Sequence, residues 1–372
     1  MARRGENIYE RKDGRWEGRY IKGRKPNGKP LYGSVYARKL KECKRKLTCA
    51  KALYINGGRA AKTYGTGTVT DFVTYWLYGI ARLRVKPSTF SNYATILEKW
   101  VNPFLGNMKL CKVTKEDVQR FVNVMAEHEL SAGTVRNIYR VLCAAMKKAC
   151  EYNYIHINPC EKVSLPEIEK KEARILTVQE QKALEQTARA NQNGFSILLA
   201  MYTGLRVGEI CGLKWIDVDL DNGVIQISRT IQRIKVFETD TGNKTVLIAG
   251  KGKSRHSSRT IPLPSCIVKL FREQKRVSDY VFTCRNHPLE PRILQYRFKA
   301  LLKKAGLDDM NFHALRHTFA TRCMEMCFDV KTLSEILGHA SAKMTLDRYS
   351  HSLMEHKRVA MQSLDQLFER SA

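Results

Sequence analysis

His313 and His317, in the stretch "NFHALRHTFAT" (311–321), stand four residues apart with Arg316 just before the second. On a helix that spacing places two side chains on one face. Zinc proteases use the same spacing in H-E-x-x-H, where the Glu acts as general base. Here the second position is Ala314 and the fourth is Arg316. A fixed guanidinium repels a divalent cation, so no metal is expected at this cluster.

Composition points to an anion instead. The chain of 372 residues carries 65 Lys plus Arg against 36 Asp plus Glu, a net charge of +29. Hydrophobic residues make up 43% of it, enough for globular domains with real cores. So large an excess of positive charge implies a polyanionic partner. No apolar run reaches the length of a membrane span, and "MARRGENIYERKDG" lacks the apolar core of a signal peptide. Nucleic acid is therefore the expected partner, with no membrane. The 11 cysteines are scattered without a C-x-x-C pair. They fit a reduced, cytoplasmic setting, with most of them buried as small apolar groups and Cys323 and Cys327 on one helix.

Three zones must position the cluster. The first 62 residues hold 19 Lys or Arg against five acids. "NIYERKDGRWEGRYIKGRKPNGKPLYGSVYA" reads as three short strands, with turns at Lys12-Asp13-Gly14 and Pro26-Asn27-Gly28, and a basic helix over roughly 37–56 follows. Such a sheet suits a DNA groove, with Arg15, Arg19, Lys22 and Arg24 as candidate contacts; a solvated basic surface is the alternative. The second zone, 66–165, reads as a helical bundle, with Ser88 as an N-cap and Thr114 with Asp117 as a near capping box. Thr89, Ser91, Asn92, Lys99 and Arg136 are its candidate phosphate contacts, with an ordinary surface role as the alternative for each. "LPEIEKKEARILT" (165–177) reads as a linker. The third zone, 174–372, mixes helices with strands in "DVDLDNGVIQISRTIQ", "KTVLIAGKGKS" and "SRTIPLP".

The third zone also holds "TGLRVGEICGLKW" (203–215), "HALRH" (313–317), "LGH" (337–339) and "TLDRYSH" (345–351), in that order. Together they resemble the signature of the tyrosine recombinases, the phage-integrase family, and the upstream zones resemble integrases of conjugative transposons and temperate phages. The resemblance implies a multidomain protein, mainly α with β. Residues 1–65 would form an arm-type DNA-binding domain and 66–165 a helical core-binding domain. Residues 174–372 would form a mixed α/β catalytic domain.

Attack on a DNA phosphodiester spreads extra charge over its oxygens, and two arginines hold two non-bridging oxygens as lysine cannot. By the family pattern these are Arg206 and Arg316. His313 and His339 would bond the same oxygens or move a proton. Tyr349, ten residues after Leu-Gly-His, would be the nucleophile. Its phenol, with a reference pKa of about 10, needs a base, for which His313 is chosen, or a cationic pocket. The covalent 3′-phosphotyrosine conserves the bond energy, so neither ATP nor another cofactor is expected. The general acid for the leaving 5′-oxygen would be a hairpin lysine ahead of the "IPL" strand; spacing favours Lys253 over Lys251. "GKGKS" is not a P-loop, because the glycine that motif needs at 247 is Leu. His317 is expected to pack rather than react, and Glu209 either orients a neighbour or faces solvent.

Leu353, Val359, Met361, Leu364, Leu367 and Phe368 recur at near-helical spacing. The resemblance lets that terminal helix dock on a neighbouring protomer; docking on its own domain stays open. It also implies a homotetramer on duplex DNA that holds arm and core sites, with an excisionase and a host DNA-bending protein as possible partners. A type IB topoisomerase-like enzyme and a catalytically inactive recombinase-like DNA-binding protein are the alternative functions.

Overall fold

The computed structural model describes residues 7–24, 29–40, 42–44, 46–47, 50, 67–169, 174–237, 245–251, 258–285, 287–339, 341–343 and 346, with Lys22, Arg24 and Lys251 described by main chain alone. Lys253, Tyr349, the Pro26-Asn27-Gly28 turn and the proposed terminal helix lie outside the described residues. Two compact units meet at residues 170 and 171.

In the first unit, β1 (Ile8–Glu10), β2 (Trp16–Arg24) and β3 (Pro30–Ala37) form an antiparallel sheet in that order. Gly14 turns β1 into β2 at φ +75°, which glycine adopts without strain. Ile8, Tyr20 and Ala37 pack against Cys43 and Leu47 of the following helical residues. A Cβ on Gly18 would lie 3.2 Å from Leu47, so glycine lets that helix close on the sheet.

The bundle follows. α1 (Val69–Tyr75) starts in a Thr68–Asp71 capping box and continues helically through Arg84. α2 (Pro87–Ile96) runs on to Leu105. Lys86, not Ser88, is its N-cap: Pro87 takes the first helical position, where its missing N–H costs nothing, and Ser88 falls inside the helix. α3 (Lys115–Glu127) opens in a Thr114–Asp117 capping box, and α4 (Ala132–Glu151) is capped by Ser131. Phe72, Val101, Met125, Leu142 and Met146 are fully enclosed between them.

The second unit is built around α10. Its helices are α5 (Val178–Arg189), α6 (Phe195–Thr203), α7 (Val207–Gly212), α8 (Ser265–Arg272), α9 (Pro291–Lys304), α10 (His313–Glu325) and α11 (Val330–Leu337). β4 (Val218–Asp219), β5 (Val224–Ile227) and β8 (Arg259–Pro262) pair antiparallel, and β6 (Arg229–Lys235) pairs with β7 (Thr245–Lys251) over seven residues. Residues 314–318, 320, 321, 323 and 324 of α10 are all buried, so it is central rather than amphipathic. Polar groups on such a helix need partners. Thr318 Oγ1 accepts from the Leu176 N–H at 2.9 Å, and Arg322 Nη2 donates to the Leu176 carbonyl at 2.7 Å.

The ten cysteines among the described residues are free thiols. Only Cys43, Cys160, Cys211 and Cys323 are buried, fewer than composition suggested. Cys327 lies past the end of α10 at φ +59°, so it does not share that helix with Cys323.

Candidate active site

The C-terminal end of α11 organises the site. Four carbonyls at a helix end have no partner within the helix. Gly338, at φ +64°, reverses the chain there: its N–H donates to Glu335 O and the His339 N–H to Ser334 O, each at 3.0 Å. This glycine closure satisfies two carbonyls and sets the direction in which His339 leaves the helix. It explains the Leu-Gly-His order physically.

Three arginines from three segments take the remaining carbonyls. Arg259 Nε donates to Ile336 O at 2.5 Å, and Arg316 Nη2 to Leu337 O at 2.6 Å. Arg206 lies farther off, with Nη1 3.4 Å from Leu337 O and Nη2 3.4 Å from Gly338 O. Cations are favoured at this negative end of the helix dipole. Arg316, only 3% exposed, also donates through Nη1 to Gly204 O at 2.9 Å. Gly204 ends α6 at φ +62°, and a Cβ there would sit 2.6 Å from Phe319 and 2.9 Å from Leu337. The Gly of "TGLR" thus lets α6, α10 and α11 meet behind Arg206.

Arg206 is the N-cap of α7, half-buried. Its Nη1 donates to Glu209 Oε1 at 2.9 Å and its N–H to Oε2 at 3.0 Å. Glu209 is buried, so its role is orientation, not a solvated face. Burial alone would raise its pKa; hydrogen bonds from Arg259 and the charges of Arg259 and Arg206 bring it below the ordinary carboxylate value. α7 lies against β6 with almost no gap: a Cβ on Gly208 would be 2.4 Å from Thr230 Oγ1 and 2.8 Å from Ile231 O.

Arg206, His313, His317, Arg174, Lys299 and Asn311 line one cavity of about 890 Å³. His313 is exposed there, while His317 is 8% exposed and meets the His313 ring edge-on at 4.7 Å. His317 is thus mostly buried against His313 while its edge still lines the cavity. His339 lines a second cavity of about 460 Å³ with Arg259, Thr332 and Glu335. Among the described residues no group of His, Cys, Asp and Glu has the arrangement of a metal site. The structure thus gathers Arg206, Arg316 and His339 at one helix end, with His313 on the cavity beside Arg206.

Arg259 was not singled out from sequence. In "SSRTIPLP" it reads as an ordinary strand cation; its partners lie 50 and 77 residues away.

The candidate DNA contacts of the first unit are partly engaged within the chain. Arg15 pairs with Asp13 at 2.7 Å, and Arg19 pairs with Glu17 at 3.1 Å and lies over the Tyr9 ring. Lys99 sits 4.7 Å over the Trp100 ring, and Thr89 is half-buried. Arg136 Nε donates to Pro166 O at 2.8 Å, so it ties the segment after the bundle back onto α4. Among the described residues no helix is long and apolar enough to cross a membrane.

The phage integrase family matches residues 168–356, and the phage integrase N-terminal SAM-like domain matches residues 68–126. The chain belongs to the phage integrase family. It is 29% identical to a tyrosine recombinase XerC-like protein of Caldanaerobacter subterraneus subsp. tengcongensis, over 93% of this chain and 94% of that protein. It is 25% identical to the transposase from transposon Tn916 of Enterococcus faecalis, over 76% of this chain and 74% of that one. Its fold is similar to the Tn1549 transposon integrase solved with a circular intermediate DNA, with a TM-score of 0.68, 23% identity, and 80% and 99% of the two chains covered.

Proposed function

We propose that this chain is a site-specific DNA recombinase of a mobile element, which cuts and rejoins strands through a covalent 3′-phosphotyrosine for integration and excision. The observation that carries the reading is the convergence of Arg206 and Arg316 on the Leu337 carbonyl, directly ahead of His339. Three motifs spread over more than a hundred residues meet at one helix end, with the residue types a phosphodiester demands.

In this reading Arg206 and Arg316 bind the non-bridging oxygens, and His339 donates to the same phosphate. His313 takes the phenolic proton as Tyr349 attacks phosphorus. The phosphorus–O5′ bond breaks, and Lys253 protonates the departing 5′-oxygen. A 5′-hydroxyl from another strand then attacks the phosphotyrosine, which reseals the DNA and releases the tyrosine. Residues 1–65 would bind arm sites, 66–165 the core site, and 174–372 would hold the catalytic groups. Several proteins of similar sequence are named integrases or transposases of mobile elements, and solved relatives of the same fold include a lambda integrase tetramer bound to a Holliday junction. In this reading the chain acts as a homotetramer on duplex DNA, with an excisionase and a DNA-bending protein as accessory partners. The net charge of +29 makes binding steeply salt-dependent.

The test is a labelled duplex carrying the element's end, with a nick beside the cleavage point and no added metal or ATP. The unaltered chain should form an adduct that survives denaturant, and Tyr349→Phe should not. Binding without adduct from either form would mark a catalytically inactive DNA-binding protein. An adduct that persists in Tyr349→Phe would move the nucleophile to another tyrosine.

A further inference from the structure

Glu209 and Arg259 form a buried ion pair with side chains 7% and 6% exposed. Arg259 Nη1 donates to Oε1 at 3.1 Å and Nη2 to Oε2 at 2.9 Å. A buried pair gives little net stability over an apolar replacement, so stability alone does not account for it. Its surroundings supply a reason. Each carboxylate oxygen also accepts from Arg206, Oε1 from Nη1 and Oε2 from the main-chain N–H. A carboxylate offers about four acceptor directions, and these four bonds use them. The third arm of the same guanidinium, Nε, reaches Ile336 O at the end of α11.

One side chain on β8 therefore joins the start of α7, which carries Arg206, to the end of α11, which presents His339. Gly338 completes the fit: a Cβ there would lie 3.0 to 3.1 Å from the Arg259 guanidinium and its Cδ.

We propose that Arg259 is a positioning residue of the strand-cleavage site, which shares Glu209 with Arg206 and so fixes the aim of both Arg206 and His339. The inference rests on the recombinase reading of Arg206 and His339. Without Arg259, the buried Glu209 keeps a single counter-charge among the described residues, Arg206. It then either draws Arg206 toward itself or takes up a proton; both turn Arg206 away from the phosphate. Lysine at 259 keeps a charge but lacks the planar fork that spans two carboxylate oxygens and a carbonyl at once.

The experiment uses the full chain and the nicked duplex, and measures DNA affinity and the single-turnover adduct rate at saturating protein, across pH. The forms compared are the unaltered chain, Arg259→Gln, Arg259→Lys and Glu209→Gln. Arg259→Gln should cleave about 100-fold more slowly, the cost of roughly 1 Å of misplacement, with DNA affinity retained. Arg259→Lys should fall between. Among the described residues, the charged groups paired with Glu209 are Arg206 from the start of α7 and Arg259 from β8. Loss of Arg259 should therefore raise the pH at which Glu209 takes up a proton, and Glu209→Gln should remove that step while leaving the acid limb set by the general base His313. Cleavage by Arg259→Gln at the unaltered rate, or a loss matched by an equal loss of binding, would overturn the proposal. If Arg259→Gln does not fold, unaltered rates in Arg259→Lys and Glu209→Gln overturn it. No adduct from the unaltered chain would strike the recombinase reading itself, and this inference with it.

Discussion

Arg206 and Arg316 meet on one oxygen, the Leu337 carbonyl, at 3.4 and 2.6 Å. Arg316 is held by a second carbonyl, that of Gly204, so its fork is fixed before any phosphate arrives. Arg316→Lys keeps the charge but leaves one of these carbonyls without its donor. The adduct rate should fall by about 10²–10³, as when one preorganised donor to a developing oxyanion is removed. Stability should fall by about 1–3 kcal/mol from the orphaned buried acceptor. Single-turnover cleavage and urea unfolding read the two effects separately.

Gly204→Ala tests the junction behind the arginines. The residue sits at φ +62°, and an added methyl would meet Phe319 and Leu337 inside 3 Å. The left-handed conformation alone costs a residue other than glycine about 1–2 kcal/mol. Chemical unfolding should show a loss above about 2 kcal/mol once the clash is added.

Thr318→Val removes the hydroxyl that accepts from the Leu176 N–H and donates to the Ala314 carbonyl at 2.9 Å. The shape is kept, so the loss isolates the buried N–H, worth about 1–3 kcal/mol. Limited proteolysis near residue 174 should accelerate in the variant, because the entry to the second unit loses half of its clasp on α10.

Glu17 tests the sheet of the first unit. Burial opposes its charge, but hydrogen bonds from Ser34, Arg19 and Arg11 outweigh that and bring its pKa from 4.5 down to about 2. A depressed carboxylate contributes stability that is complete above the unfolded value and fades as pH falls through the folded one. Thermal unfolding of the sheet should therefore weaken between about pH 5 and pH 2. Glu17→Gln should flatten that dependence; an unchanged profile would refute the assignment.

Local chemistry made much of this legible in the sequence. Thr114 and Asp117 form the capping box their spacing announced, and Gly14 makes the turn that Lys12-Asp13-Gly14 required. Arg206 and His339 stand out because their motifs hold glycines that the backbone needs, Gly204 and Gly338, whereas Arg316 stands out only by the family resemblance of HALRH. Arg259 escaped because nothing local distinguishes it: its meaning lies in Glu209 and Ile336, which only the fold brings near. Arg136 shows a partner that sequence could not. Its Nε is taken by the Pro166 carbonyl, which lies 30 residues on and meets it only through the fold.

The Gly208 seam has a mechanical corollary. α7 and β6 are in contact without a methyl's width between them, and β6 is laced to β7 as far as the Arg229–Lys251 pair. The root of the lysine-bearing segment and the arginine that begins α7 therefore behave as one block. Lys253 follows two residues past that root, and two residues of chain span at most roughly 7 Å. A shift at the end of β7 is therefore felt at the start of α7, across a seam with no slack to absorb it.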